Sequence, residues 1–423
     1  FDGFRVQLFQ QKGGLNQAEM EAGLTMNLDF FLGLVNALNI GDLVNDVAYQ
    51  IRPYEVNPGE TDRVLAECMD ELHEVMKRHK PFEIEGRLAR LLERSPRLRE
   101  RGETLGKFFT QLYGEEYTAA LTRVGERFDA IPIDRTRAKP IVKVTGEFWA
   151  QTTEGDGNFN MFTFLEGEGA QVLVEPIGTW LMYMLHQAKS RIKDRKGLDR
   201  EPTRNPLRRI AGWLGANLEA GQKLMKLSIA EEIFRREWDR LRRALGNLPH
   251  PLTDQLELQR MGHPYYDSRS QGGEGHLEVA KNIYYHNKDL CHMVLSLKPF
   301  GCMPSTQSDG AQAAVMGHFR DMIYLPIETS GEGEINAHSR VQMALGEAKA
   351  KTKEEFSRAL QETGFSLEEI RAYVDRHPEL KRPFYPVPHR KGVVGVAANF
   401  VLHVGERMAR EGLGNARSAG GAR

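Results

Sequence analysis

Four short apolar runs, each leading into a helical pattern, constrain the fold of this chain more than any other feature. They are Ile141-Val142-Lys143-Val144, Gln171-Val172-Leu173-Val174-Glu175-Pro176, Met293-Val294-Leu295-Ser296-Leu297-Lys298 and Met322-Ile323-Tyr324-Leu325-Pro326-Ile327. Between them lie a glycine-rich loop with a short helix, a long helical stretch, and a helix near 309–320. Strands that alternate with helices predict a parallel sheet covered on both faces. The predicted class is α/β: Rossmann-like parallel sheet domains with a long helical insertion and a helical C-terminal tail.

The flanks read differently. Residues 4–9 alternate like a strand, and apolar spacing then predicts helices over about 26–43, 61–79, 82–95 and 102–126, with Thr61 as an N-cap. Asn158 is the expected cap of the helix after the glycine-rich loop. Residues 177–246 form an arginine-rich helical insertion, with a helix at about 275–290 after it. Helices at about 352–363 and 366–375, separated by Gly364, precede a Pro383–Pro388 link and a last helix near 394–411. The predicted organisation is an N-terminal α/β, helix-rich domain over 1–138, a Rossmann-like domain over 139–350, and a helical tail over 351–423.

Charge and cysteine content exclude several classes. Lys and Arg number 57 and Asp and Glu 58, a formal charge of −1. That balance argues against a nucleic-acid partner. No apolar run approaches the roughly 18 residues of a membrane span, so no membrane partner is expected. The three cysteines, Cys68, Cys291 and Cys302, are too few for a disulfide framework and point to a reducing, cytoplasmic setting. The chain begins with Phe1 and not Met, which suggests a processed product or a piece of a longer protein.

In an open parallel sheet, ligands bind beyond the carboxyl ends of the strands. The residues there are Thr145-Gly146-Glu147, Glu175-Pro176, Lys298-Pro299-Phe300-Gly301-Cys302 and Glu328-Thr329-Ser330. Glu147, Glu175, Lys298, Ser305 and Glu328 are therefore expected to line a cleft. His338 and Arg340 join them from a helix start, where anions are favoured. Cys302 stands in a proline-rigidified loop. It is either a thiol aimed outward or a small buried hydrophobe. The basic stretch from Arg191 to Arg243 is either a solvated face or a docking surface for an acidic protein or a CoA phosphate. There is no Walker loop and no G-x-G-x-x-G, so no nucleotide motif lies in this chain.

Several runs resemble a known family. Lys298-Pro299-Phe300-Gly301-Cys302-Met303-Pro304-Ser305, Leu325-Pro326-Ile327-Glu328-Thr329, Ser339-Arg340-Val341-Gln342-Met343, Tyr49–Val56 and Gly146-Glu147-Phe148-Trp149 are similar to the large activase-like proteins of the 2-hydroxyacyl-CoA dehydratase system. The likeness covers about 1–345 and lies in the dehydratase-like part of those proteins, which follows their ATPase domains. The resemblance implies a component of low-potential electron transfer in an anaerobic, ATP-dependent dehydratase or reductase system. It implies Cys302 as a ligand of a [4Fe-4S] cluster. The family's other cysteine ligands lie upstream, and neither Cys68 nor Cys291 falls at a matching position. Such a cluster would be shared with another chain or an upstream segment. The implied partners are an ATPase activase-type protein and a companion dehydratase-like chain. The rival expectation is a scaffold that has the fold without the cluster.

Overall fold

The computed structural model describes residues 28–79, 82–84, 96–196, 206–270, 273–330 and 333–413. The expected strand at 4–9, residues 85–95 of the helix expected over 82–95, and the end of the chain lie outside these residues, and 82–84 are not helical. So do the side chains of Trp213 and Leu214.

Four helices open the described chain: α1 (Leu28–Ile51), α2 (Glu60–Arg78), α3 (Pro96–Tyr113) and α4 (Glu115–Asp129). The single helix expected over 102–126 is two, because the chain leaves helical geometry at Gly114. Thr61 is not an N-cap. Gly59 holds that position at φ +82°, and the Glu55 carboxylate accepts from the Thr61 amide at 2.8 Å. A carboxylate five residues upstream of the helix thus replaces the local hydroxyl. Leu43, Val47, Val64, Leu121 and Phe128 form the core of this region.

The sheet follows: β1 (Ile141–Gly146), β2 (Gln171–Leu173), β3 (Met293–Pro299) and β4 (Ile323–Thr329). All pairings are parallel, in the order β2-β1-β3-β4. Between β1 and β2 lie α5 (Phe148–Thr152) and α6 (Met161–Gly167); between β2 and β3 come α7 (Ile177–Asp194), α8 (Pro206–Ala244), α9 (Gln255–Gly262) and α10 (Gly275–Asn287). Asn158 does not cap α6. It closes a turn, its amide donating to Ala150 O at 3.0 Å and Thr153 O at 3.1 Å, while Asn160 precedes the helix.

Helix α8 spans 39 residues, and among its described side chains those of the last turns are the deeply packed ones. There Trp238, Leu241 and Leu245 join the core built by α1, α2 and α4. After β3 comes α11 (Met303–His318), and after β4 comes α12 (Glu334–Thr363). The helix expected over 352–363 is the end of this single 30-residue helix, which stops at Gly364 with φ +72°. The tail adds α13 (Leu367–Arg376) and α14 (Val396–Arg410). Among the described residues, no helix is long and apolar enough to cross a membrane.

The two faces of the sheet differ. Val142 and Val144, with Met293, Leu295 and Leu297, pack against Phe162 and Leu165 of α6 and Val341 and Leu345 of α12. The opposite face carries Lys143, Thr145, Ser296 and Lys298, all buried. Helices α10 and α11 supply the partners of Thr145, Ser296 and Lys298, and Glu175, just after β2, pairs with Lys143.

Candidate functional site

Strands β1 and β3 lie side by side, and their following helices lead away to opposite faces. A crevice opens at the carboxyl ends of such a pair. The strands touch closely there: the Glu147 amide donates to Leu297 O at 2.8 Å. Gly146, at φ +117°, has no room for a β-carbon, which would collide with the Leu297 backbone.

Each sequence-derived candidate has a definite place at this edge. Glu147 caps α5, accepting from the Trp149 and Ala150 amides at 3.0 and 3.1 Å. Cys302 is the N-cap residue of α11, reached by a turn in which Gly301 has φ +77°. The Cys302 thiol lies 3.5 Å from the Ser305 hydroxyl, and Ser305 is buried. Lys298 is buried against Asp309, and burial lowers the pKa of its ammonium. Glu328 is exposed beside Lys298 in the register of β3 with β4.

Glu175 turns inward and meets Lys143 at 2.7 Å. Burial alone would raise the pKa of its carboxyl. The ammonium groups of Lys143 and Lys281, with hydrogen bonds from Lys143 and Tyr285, outweigh that and hold it at about 2. His338 and Arg340 do not converge on the crevice. His338 bonds Phe159 O at 3.0 Å and stacks on Phe164, while Arg340 donates to Pro326 O at 2.9 Å. Both are committed to backbone carbonyls, so the helix start offers no free anion site through them.

Beneath the edge lies a buried polar network absent from the sequence-derived candidates. Glu278 of α10 accepts from Ser296 and from Ser308, the latter at 2.6 Å, and burial raises its carboxyl pKa. Asn282 accepts from Thr145 at 3.0 Å and donates to Gln312 at 3.2 Å. Lys281 donates to Gln151 at 2.9 Å, and Gln151 donates to Gly146 O at 3.0 Å. Burial pushes the Lys281 ammonium down to about 8. A strand covered on both faces ordinarily reads as a continuous apolar run. Lys143 and Thr145 interrupt β1, and Ser296 and Lys298 interrupt β3, at alternate positions. That interruption was the sequence signal for the network.

No family model, curated protein or solved structure matches this chain. The site therefore rests on its own geometry.

A four-iron cluster held by the three cysteines does not fit that geometry. Cys68 is fully buried in the helical core. Cys291 precedes β3, and burial pushes its thiol up to about 12. Cys302 lies beyond the other end of the same strand, roughly 20 Å away at about 3.3 Å per residue. Among the described residues, no three His, Cys, Asp or Glu side chains are placed to hold a metal ion.

Cavities lie both at this edge and away from it. One, of about 540 Å³, borders the carboxyl end of β4 at Thr329 and Ser330 and the 156–160 turn. The other, of about 410 Å³, lies between α1, α3, α7 and α8 and is lined by Leu32, Phe108, Leu181 and Ile233 among others. Neither is lined by Glu147, Lys298, Cys302 or Glu328, but a small cavity of about 30 Å³ at the end of β2 is lined by Glu175 with Asp42 and Asp46.

Proposed function

We propose that this chain is a dehydratase-like component of an ATP-dependent, low-potential electron-transfer complex, and that its carboxyl edge is the face presented to a companion chain. The observation that carries the reading is the surroundings of Cys302. Phe300 and Met303, which flank it in the chain, are 77% and 65% exposed, and Trp149, just past the end of the neighbouring strand β1, is 68% exposed. A part-buried thiol flanked by large exposed apolar side chains suits a surface that another protein covers. In this reading Cys302 contributes one thiolate to a [4Fe-4S] cluster, and the other ligands come from a companion chain or an upstream segment. The ATP-hydrolysing activase is a separate partner. The resemblance of Lys298–Ser305 to the activase-like family supports the same assignment.

The test is anaerobic purification with the companion proteins, followed by iron and sulfide analysis. Wild-type complex should carry both, Cys302→Ala should lose most of each, and Cys291→Ala should keep them. A full iron complement in Cys302→Ala removes the assignment. One observation favours a second reading, a cluster-free scaffold: the three cysteines lie apart, with no metal-holding group among the described residues. Absence of iron from the wild-type complex would select it.

A further inference from the structure

Helix α8 leaves an apolar stripe uncovered. Leu218, Met225 and Ile229 are 66%, 57% and 52% exposed. Their spacings of seven and four residues place them on one face of the helix. The other side of the helix, at Leu224 and Leu227, is part-buried. The stripe lies well before the turns that anchor α8 in the core, so it contributes nothing to that core.

We propose that this stripe pairs with the same stripe of a second copy of the chain, antiparallel, with the two-fold axis between Gln222 and Lys223. The charges choose this occupant. In that register Glu219, which pairs with Lys223 of its own helix at 2.7 Å, is also level with Lys226 of the second copy, and Lys226 with its Glu219. In an antiparallel pair, residues on the same flank of the seam face each other, and these two share a flank. On the other flank, Asn217 is level with Ser228 of the second copy, an amide opposite a hydroxyl. Along the seam, Leu218 falls between Met225 and Ile229 of the second copy, so the apolar side chains interdigitate. Gly221 lies beside the axis with open space over it, which permits close approach of the helices. The contact is isologous, as a closed dimer requires. It stands apart from the carboxyl edge and does not depend on the functional reading above.

The test uses the whole chain. Sedimentation should give a dimer of twice the 48.0 kDa chain mass as concentration rises between about 1 and 100 μM. Met225→Glu and Ile229→Glu should each give monomer with unchanged circular dichroism. Lys226→Glu should weaken the dimer roughly tenfold, since it sets two like-charge contacts in place of two ion pairs. Adding Glu219→Lys to Lys226→Glu should restore it, which a misfolded variant would not do. In a Cys302→Ser background, oxidised Gln222→Cys should cross-link to its copy. Arg236→Cys should not, because the two copies of that position stand about 40 Å apart along the pair at 1.5 Å per residue. A monomer at every concentration overturns the proposal. So does a dimer indifferent to Lys226→Glu, or cross-linking at Arg236→Cys, which would mean parallel helices.

Discussion

Lys281 is the residue whose setting is least explained by packing alone. Its ammonium is buried, among the described residues it hydrogen-bonds the neutral amide of Gln151, and the attraction of the Glu175 carboxylate only partly offsets its burial. Burial brings its pKa to about 8, against an ordinary 10.5. Between these values the unfolded chain binds more protons than the folded one, so this group makes stability rise with pH from about 8 to 10. Below 8 the buried charge is a net cost. We therefore expect Lys281→Met to be more stable than wild type at pH 7, by about 2 kcal/mol, since replacing a buried charge with an apolar chain of similar size is often stabilising. The gap should close towards pH 10. Urea unfolding across that range checks it; a variant that is weaker at pH 7 and keeps the wild-type pH slope would refute the argument. Perturbed buried groups cluster at functional sites, and Lys281 lies directly under the β1–β3 crevice.

At the scale of elements, the join between α12, α14 and the sheet depends on one carboxylate. Glu355 of α12 accepts from the Val394 and Gly395 amides, each at 2.7 Å, and from His292 at 3.3 Å. The other nitrogen of His292 accepts from the Ile141 amide at 3.0 Å, so β1 is tied in as well. Burial would raise the pKa of Glu355, but His292 and the two amides bring it below the ordinary carboxylate value. Its contribution is present above that value and is lost as pH falls through the lowered folded pKa. Glu355→Gln points an N–H at an N–H and should cost about 2 kcal/mol at pH 7, and its acid loss of stability should be shallower than that of wild type. Thermal unfolding at pH 3 to 7 measures both. None of this join was legible in the sequence, because Glu355 and Val394 meet only through tertiary folding. The strands were legible, since each is an apolar run with a helix after it. The strand-end rule also located Glu147, Glu175 and Cys302. It missed Glu278 and Lys281, which reach the sheet from a helix whose own pattern is ordinary. Local signals failed at Thr61 for the same reason: Glu55, held by the chain before α2, supplies the cap.

Across the whole molecule, the first helical region and the tail are fastened by Arg135. Its guanidinium is buried and donates to four carbonyls, among them Leu380 O at 3.2 Å, Arg382 O at 3.0 Å and Tyr385 O at 3.3 Å. Arg135→Met would strand those acceptors, and we expect it to cost about 3 kcal/mol and to expose the 378–385 segment to limited proteolysis ahead of global unfolding. Proteolysis at wild-type rates would show that the tail is held by other contacts. The strand order has a further consequence, for synthesis on the ribosome. Ile141 and His292, which bond each other where β1 meets the start of β3, are 151 positions apart. At 5–20 residues per second, β1 emerges roughly 8–30 s before the strand that completes its hydrogen bonds. Through that interval β1 has only the short β2 beside it, and its other edge, with Val142 and Val144, is open to any passing strand. The nascent chain is thus most prone to misassociation after β2 has appeared and before β3 does. A ribosome-bound chaperone would matter most for this protein in that window.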